Sequence, residues 1–279
     1  MVQGQYQVKP ALPFVPGTEF SGVVEAGKEV SDLKAGDRVI AIGLGGFAEE
    51  AVAGVARTAP LPAAMDFDVG AALILTYDTS LRGLKDCGHL VAGETLLALG
   101  APGGVGVAAL EIGCAMGARV ISAASSNEKL APCRQLGVDA VINYSTENLR
   151  ERINALTDGR GVDGVYGAVG GPYTEQALWA MAWRGRLVVI GFAAGEIPKI
   201  PITLCLLKER TVNGVYWGDS VKQDPQGYYR SVEQLLQWFA SGTIKPHISE
   251  RVPLVEAPRL FDRMAGRQIK DKAIGLPEA

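Results

Sequence analysis

A doubly wound parallel α/β sheet with a smaller β domain beside it is the fold class this 279-residue chain predicts. Three observations predict it. Between Thr95 and Gly117 an apolar run of strand length meets a glycine-dense turn, which opens into residues with helical period. From there apolar runs alternate with helical stretches, a pattern that right-handed crossovers convert into a parallel sheet. Residues 14–62, by contrast, show short strands separated by tight turns, the spacing of a small, bent, mostly antiparallel domain.

Taken in order, residues 21–26, 38–41 and 48–52 read as strands, with turns at Lys34-Ala-Gly-Asp37 and Gly43-Leu-Gly-Gly46. A helix is expected to begin near Ser80, which makes Thr79 a candidate cap. The first sheet strand is Thr95-Leu-Leu-Ala-Leu99, followed by Gly100-Ala-Pro-Gly-Gly-Val-Gly106 and its helix. Residues 118–125 form the next strand, 127–136 a helix, 140–144 a strand and 146–157 a helix with alternating charge on one face. Strands follow at 162–169 and 186–192, with a helix over 174–183 between them. Val165, Val188, Val189 and Ile190 suit strands covered on both faces. After a sixth-strand region at 211–217, residues 231–240 and 257–265 read as helices and 272–276 as a closing strand. Because both flanking segments bracket the sheet, the tail is expected to return to the β domain. The domain division is then 1–75, 76–224 and 225–279.

Composition removes several function classes. A net charge of -3 leaves no basic stripe for nucleic acid or an anionic membrane. Cys87, Cys114, Cys133 and Cys205 are scattered, which suits four small buried hydrophobes in a reducing, cytoplasmic compartment. The apolar stretch around Thr95–Met116 is broken by Gly, Pro and Glu111, so no spanning helix is expected, and no signal-peptide pattern opens the sequence.

The glycine turn carries the chemistry. A strand, a glycine turn and a helix in this order let Ala101, Gly103, Gly104, Val105 and Gly106 bring backbone close to a pyrophosphate, with the helix amides aimed at it. A purely structural turn is the competing reading. Sheets that bind the unphosphorylated dinucleotide usually carry an acid at the end of the second strand, bonded to the ribose 2′-hydroxyl. Here that place holds Ser125 and Ser126, with Lys129 in the following helix, and Glu128 comes too late to serve. Hydroxyls and an ammonium donate to a 2′-phosphate, whereas a carboxylate repels it. NADPH is therefore favoured over NADH.

Several motifs carry a family resemblance. Phe14-Val-Pro-Gly-Thr-Glu19-Phe-Ser-Gly22, Ala35-Gly-Asp37-Arg38, Gly45-Gly-Phe47, Gly100–Gly106 and Gly159-Arg-Gly-Val-Asp163 resemble the medium-chain dehydrogenase/reductase superfamily. Within it the chain is similar to zinc-free quinone oxidoreductases of the zeta-crystallin type. Gly195-Glu-Ile-Pro-Lys-Ile-Pro201 and Gly214-Val-Tyr-Trp-Gly218 point most closely to quinone oxidoreductase-like proteins. The resemblance implies a Rossmann NADPH domain, a GroES-like catalytic domain and hydride transfer to quinones or α,β-unsaturated carbonyls. It also implies a homodimer paired along the sixth strand.

By the same resemblance, Thr79 anchors the nicotinamide carboxamide or ribose, and Lys129 and Tyr144 hold the 2′-phosphate. Tyr6 sits beside the acceptor with its hydroxyl as donor. Val169, Gly170, Phe192 and Ala193 border the nicotinamide half, and Tyr216 and Trp217 line the acceptor slot. Zinc-dependent relatives place a histidine after the Pro-Gly pair, where this chain has Thr18, and its only histidines are His89 and His247. No metal is therefore expected. Family members carry several dozen residues before the position equivalent to Met1, so the GroES-like domain is expected to be truncated. Asp78 and Gly167 also depart from the family pattern, Asp78 setting a carboxylate where the nicotinamide is expected. These departures keep open the alternative of a weakly active or inactive NADPH-binding protein with a sensor or crystallin-like role.

Overall fold

The computed structural model describes residues 9–25, 33–266, 268–269 and 271–277, and the chain divides into two compact units. One unit comprises Met1–Leu75 with Pro246–Ala279, the other Thr76–Lys245.

Along the chain, β1 (Glu19–Val23), β2 (Arg38–Ile42) and β3 (Thr58–Pro60) precede α1 (Phe67–Leu81), which a wide π-type turn over Arg82–Cys87 extends. The chain then alternates: β4 (Thr95–Leu99), α2 (Gly104–Ala115), β5 (Arg119–Ala124), α3 (Asn127–Cys133), β6 (Ala140–Asn143) and α4 (Leu149–Leu156). Next come β7 (Val162–Gly167), α5 (Pro172–Trp179), β8 (Met181–Val189), α6 (Thr203–Leu206), β9 (Thr211–Gly214), α7 (Trp217–Gln223) and α8 (Pro225–Ala240). β10 (Glu250–Pro253), α9 (Ala257–Ala265) and β11 (Ala273–Leu276) close the chain.

In the larger unit six parallel strands lie in the order β6-β5-β4-β7-β8-β9. The chain leaves β4 toward one edge and returns to its other side at β7, so the strand order reverses between these two. That reversal opens a crevice beyond their carboxyl ends. The central strands are buried on both faces: Leu96, Leu97, Leu99, Ile121, Val162 and Val165 are at most 1% exposed. In the smaller unit β1, β2 and β3 form an antiparallel sheet, and β10 and β11 pair in parallel. Its core includes Ile40, Ala41, Leu61 and Met65, with Phe47 and Phe261 edge to face at 4.9 Å.

Five expectations need correction. Residues 48–52 alternate like a strand, yet Val52 is 92% exposed and the third strand is Thr58–Pro60 instead. The helix carrying Thr79 begins at Phe67, so Thr79 is internal to it and caps nothing at its start. The helix read over 174–183 stops at Trp179, because Met181 pairs with Val162 and starts β8. The return to the smaller unit comes at Pro246 rather than 225, since α8 stays with the sheet. It buries Tyr228, Val232 and Leu235 there, and the Tyr228 ring meets Trp217 edge on. Of the four cysteines only Cys133 is fully buried.

Candidate functional site

The glycine turn sits at the crevice. Leu99 pairs with Gly167 across β4 and β7, and the chain turns at Gly100 with a φ of 77°. A Cβ on Gly106 would lie 2.4 Å from the Gly100 carbonyl oxygen and 2.6 Å from that of Ala101. Only glycine permits this approach, which folds the first turn of α2 back onto the strand end. Ala101 is buried, Gly103 is exposed, and Gly104 and Val105 are half-buried, so the helix mouth meets solvent. Gly103 occupies the N-cap and offers no side chain to it. The first-turn amides of a helix lack intrahelical acceptors and sit at its positive end. This mouth can hold an anion of diphosphate size.

At the end of β5 a second group assembles. Lys129 Nζ donates to Ser125 Oγ at 3.1 Å, and the Lys129 backbone N–H donates to Ser126 Oγ at 3.3 Å, capping α3. Tyr144 lies just beyond β6; burial raises its phenol pKa above the ordinary value, and the neighbouring Ser125 side chain opposes that. Its ring lies 4.0 Å from that of Tyr173. Four residues singled out in the sequence thus converge, two hydroxyls, a phenol and an exposed ammonium.

The opposite side of the crevice is built from the ends of β7 and β8. A Cβ on Gly100 would meet Val169 Cγ2 at 2.7 Å, and one on Gly170 would meet Phe192 Cδ1 at 2.9 Å. Ala193 and Ala194 donate backbone bonds to Ala168 and Val169. Val169, Gly170, Phe192 and Ala193 therefore form one surface beside the glycine turn. Thr79 is half-buried near the end of α1. Tyr216 is 46% exposed, whereas Trp217 is 7% exposed and its indole N–H donates to Asp78 Oδ2 at 2.7 Å. The pair read as one slot is split, one ring outward and one inward. Tyr6 lies outside the described residues.

Asp78, expected from the sequence beside the nicotinamide, is buried here in a polar contact. It is 3% exposed and turned to Trp217, and the small cavity beside it is lined by Arg82, Ser220, Asp224 and Ser231. Burial pushes its pKa up to about 6, against the pull of the Trp217 and Ser231 contacts. Two further buried groups gave no sequence signal. Glu111, read as a break in an apolar run, accepts from the Tyr77 hydroxyl at 2.5 Å and from the Lys245 N–H at 3.1 Å. Tyr166 meets Ser80 in the centre of the sheet unit.

No group of three or more His, Cys, Asp or Glu among the described residues is placed to hold a metal ion. Both histidines are exposed, and His247 pairs with Asp271 through Nδ1 at 2.5 Å. No helix of the described residues is long and apolar enough to cross a membrane.

A six-stranded parallel sheet whose first crossover starts on a glycine-lined helix mouth defines the dinucleotide-binding class of α/β proteins. Comparison with known proteins narrows this. Residues 104–241 match the zinc-binding dehydrogenase family, and residues 1–63 match the alcohol dehydrogenase GroES-like domain. A quinone oxidoreductase-like protein 2 homolog of Nematostella vectensis is 40% identical over 97% of this chain and 75% of its own length. The Pseudomonas syringae quinone oxidoreductase structure superposes with a TM-score of 0.89 at 32% identity, covering 98% of this chain and 85% of that one. The Escherichia coli quinone oxidoreductase complexed with NADPH gives 0.89 at 28% identity, covering 97% and 85%. The chain belongs to the medium-chain dehydrogenase/reductase superfamily of oxidoreductases, and within it to the quinone oxidoreductase-like proteins.

Proposed function

We propose that this protein is an NADPH-dependent reductase that passes a hydride to a quinone or an α,β-unsaturated carbonyl without zinc. The observation that carries the reading is the Ser125–Lys129–Tyr144 cluster beside the glycine-lined mouth of α2. Bound NADPH supplies the hydride. The chain supplies the rest. The amides of Gly104, Val105 and Gly106 hold the diphosphate, with Ala101 and Gly103 giving it room. Ser125, Ser126, Lys129 and Tyr144 hold the 2′-phosphate by charge-assisted and hydroxyl bonds. Thr79 anchors the nicotinamide end, and Val169, Gly170, Phe192 and Ala193 orient it.

Thr18 replaces the metal-binding histidine of zinc-dependent relatives, so activation of the acceptor falls to a hydroxyl donor aimed at its developing oxyanion. Tyr6 is that donor. Tyr216 lines the acceptor slot, and buried Trp217 anchors the segment presenting it. The reading extends to a cytoplasmic homodimer paired along β9, the exposed edge of the six-stranded sheet.

Fluorescence titration with NADPH and NADH tests the coenzyme. Decay of the reduced-nicotinamide absorbance with an ortho-quinone tests the reaction. Tighter binding of NADPH than of NADH, with oxidation only when the acceptor is present, is expected. Binding without oxidation would favour the sensor or crystallin-like alternative, and no binding would overturn the proposal.

A further inference from the structure

The side chains of Ser80 and Tyr166 form an interior link that the proposed reaction does not use. Tyr166 lies on β7 between Ala98 of β4 and Val188 of β8, and both it and Ser80 are 0% exposed. The two hydroxyls are 2.8 Å apart. Ser80 Oγ also lies 2.8 Å from the Thr76 carbonyl oxygen and 2.9 Å from that of Val105. Thr76 is on the same helix as Ser80, whereas Val105 belongs to the first turn of α2.

Two hydroxyl protons serve this group, one on Tyr166 and one on Ser80, and carbonyl oxygens only accept. Burial raises the Tyr166 phenol far above its ordinary value, so it stays protonated. Tyr166 therefore donates to Ser80 Oγ, and the Ser80 proton is left for the two carbonyls. A serine inside a helix otherwise bonds back to the carbonyl four residues earlier, here Thr76. The Tyr166 bond fixes the hydroxyl between that local acceptor and Val105, joining α1 to the start of α2. Thr79 adjoins this joint on one helix and the Gly104–Gly106 amides adjoin it on the other.

We propose that Tyr166 is a positioning residue for the coenzyme: acting through Ser80, it fixes the diphosphate-holding turn of α2 relative to Thr79. The inference rests on the reading of that turn as the diphosphate site. It predicts a selective defect. Loss of the link should weaken ligands that reach the α2 mouth and spare those that engage only the 2′-phosphate cluster.

The experiment compares wild type, Tyr166→Phe, Ser80→Ala and the double variant in calorimetric titrations with NADPH and with adenosine 2′-monophosphate, alongside thermal melts. Each single variant is expected to weaken NADPH about fivefold, roughly one hydrogen bond, and to leave adenosine 2′-monophosphate within about twofold. The double variant should lose no more than the larger single loss, because both act on one link. Equal weakening of both ligands would mark a merely structural role and overturn the inference, as would unchanged NADPH affinity. Should Tyr166→Phe fail to fold, Ser80→Ala, which removes only a hydroxyl, decides on the same criteria. Wild type that binds adenosine 2′-monophosphate but not NADPH would overturn the diphosphate reading, and this inference with it.

Discussion

Asp78 shows how one buried carboxylate couples stability to pH. Its native pKa of about 6 lies above the 3.8 of the free side chain, so the folded protein holds this proton more tightly than the unfolded chain does. The group is neutral in both states at low pH. As pH rises from about 3.8 to about 6 the unfolded chain ionises first, and folding loses on the order of 3 kcal/mol from this site before the effect levels off. Asp78→Asn keeps an acceptor for the Trp217 indole and removes the charge. Its gain in urea-denaturation stability is expected to reach about 2–3 kcal/mol at about pH 7.5 and to shrink toward zero near about pH 4. A gain independent of pH would contradict this account.

Lys129 belongs to the same scale. Lys129→Ala should weaken NADPH about five- to tenfold in fluorescence titration and leave NADH nearly unchanged, as expected for a charge-assisted contact to the 2′-phosphate. The Ser125, Ser126 and Lys129 cluster was legible because it is local in sequence and notable for a missing acid. Asp78, Glu111 and Tyr166 were not, because their partners Trp217, Lys245 and Ser80 lie far along the chain and only the fold joins them.

At the scale of elements, the glycine turn was readable because close backbone approach demands a specific residue. Gly106→Ala would drive a methyl into two carbonyl oxygens. A loss of about 1–3 kcal/mol in denaturant unfolding is expected. NADPH binding should weaken more than tenfold, since the α2 mouth must shift to relieve the clash. The misread elements failed for the opposite reason. Residues 48–52 have strand-like alternation but find no pairing edge, while Thr58–Pro60 pairs with β2 despite ending in proline. Helix-favouring residues run on past Trp179, and pairing of Met181 with Val162 overrides them. Pairing is a tertiary property, and periodicity alone does not contain it.

For the whole molecule, the edge strand β9 sets the expectation on assembly. Val212 is 38% exposed on it, and an unpaired edge invites pairing with a second copy. A dimer is expected in light scattering at micromolar concentration, and Val212→Lys should shift it toward monomer without lowering the melting temperature of the sheet unit. A monomeric wild-type protein would refute the pairing.

The smaller unit is assembled from both ends of the sequence. Glu19 accepts from the Leu75 backbone N–H at 2.8 Å and from Lys272 Nζ at 2.5 Å, across a separation of 253 residues. A growing chain on the ribosome therefore exposes the β1–β3 segment throughout synthesis of the sheet unit. Its counter-ion and the β10–β11 pair are made only after the sheet unit is complete. Premature termination before Lys272 would strand a buried carboxylate without its cation, which makes this unit the natural point of surveillance by chaperones and proteases.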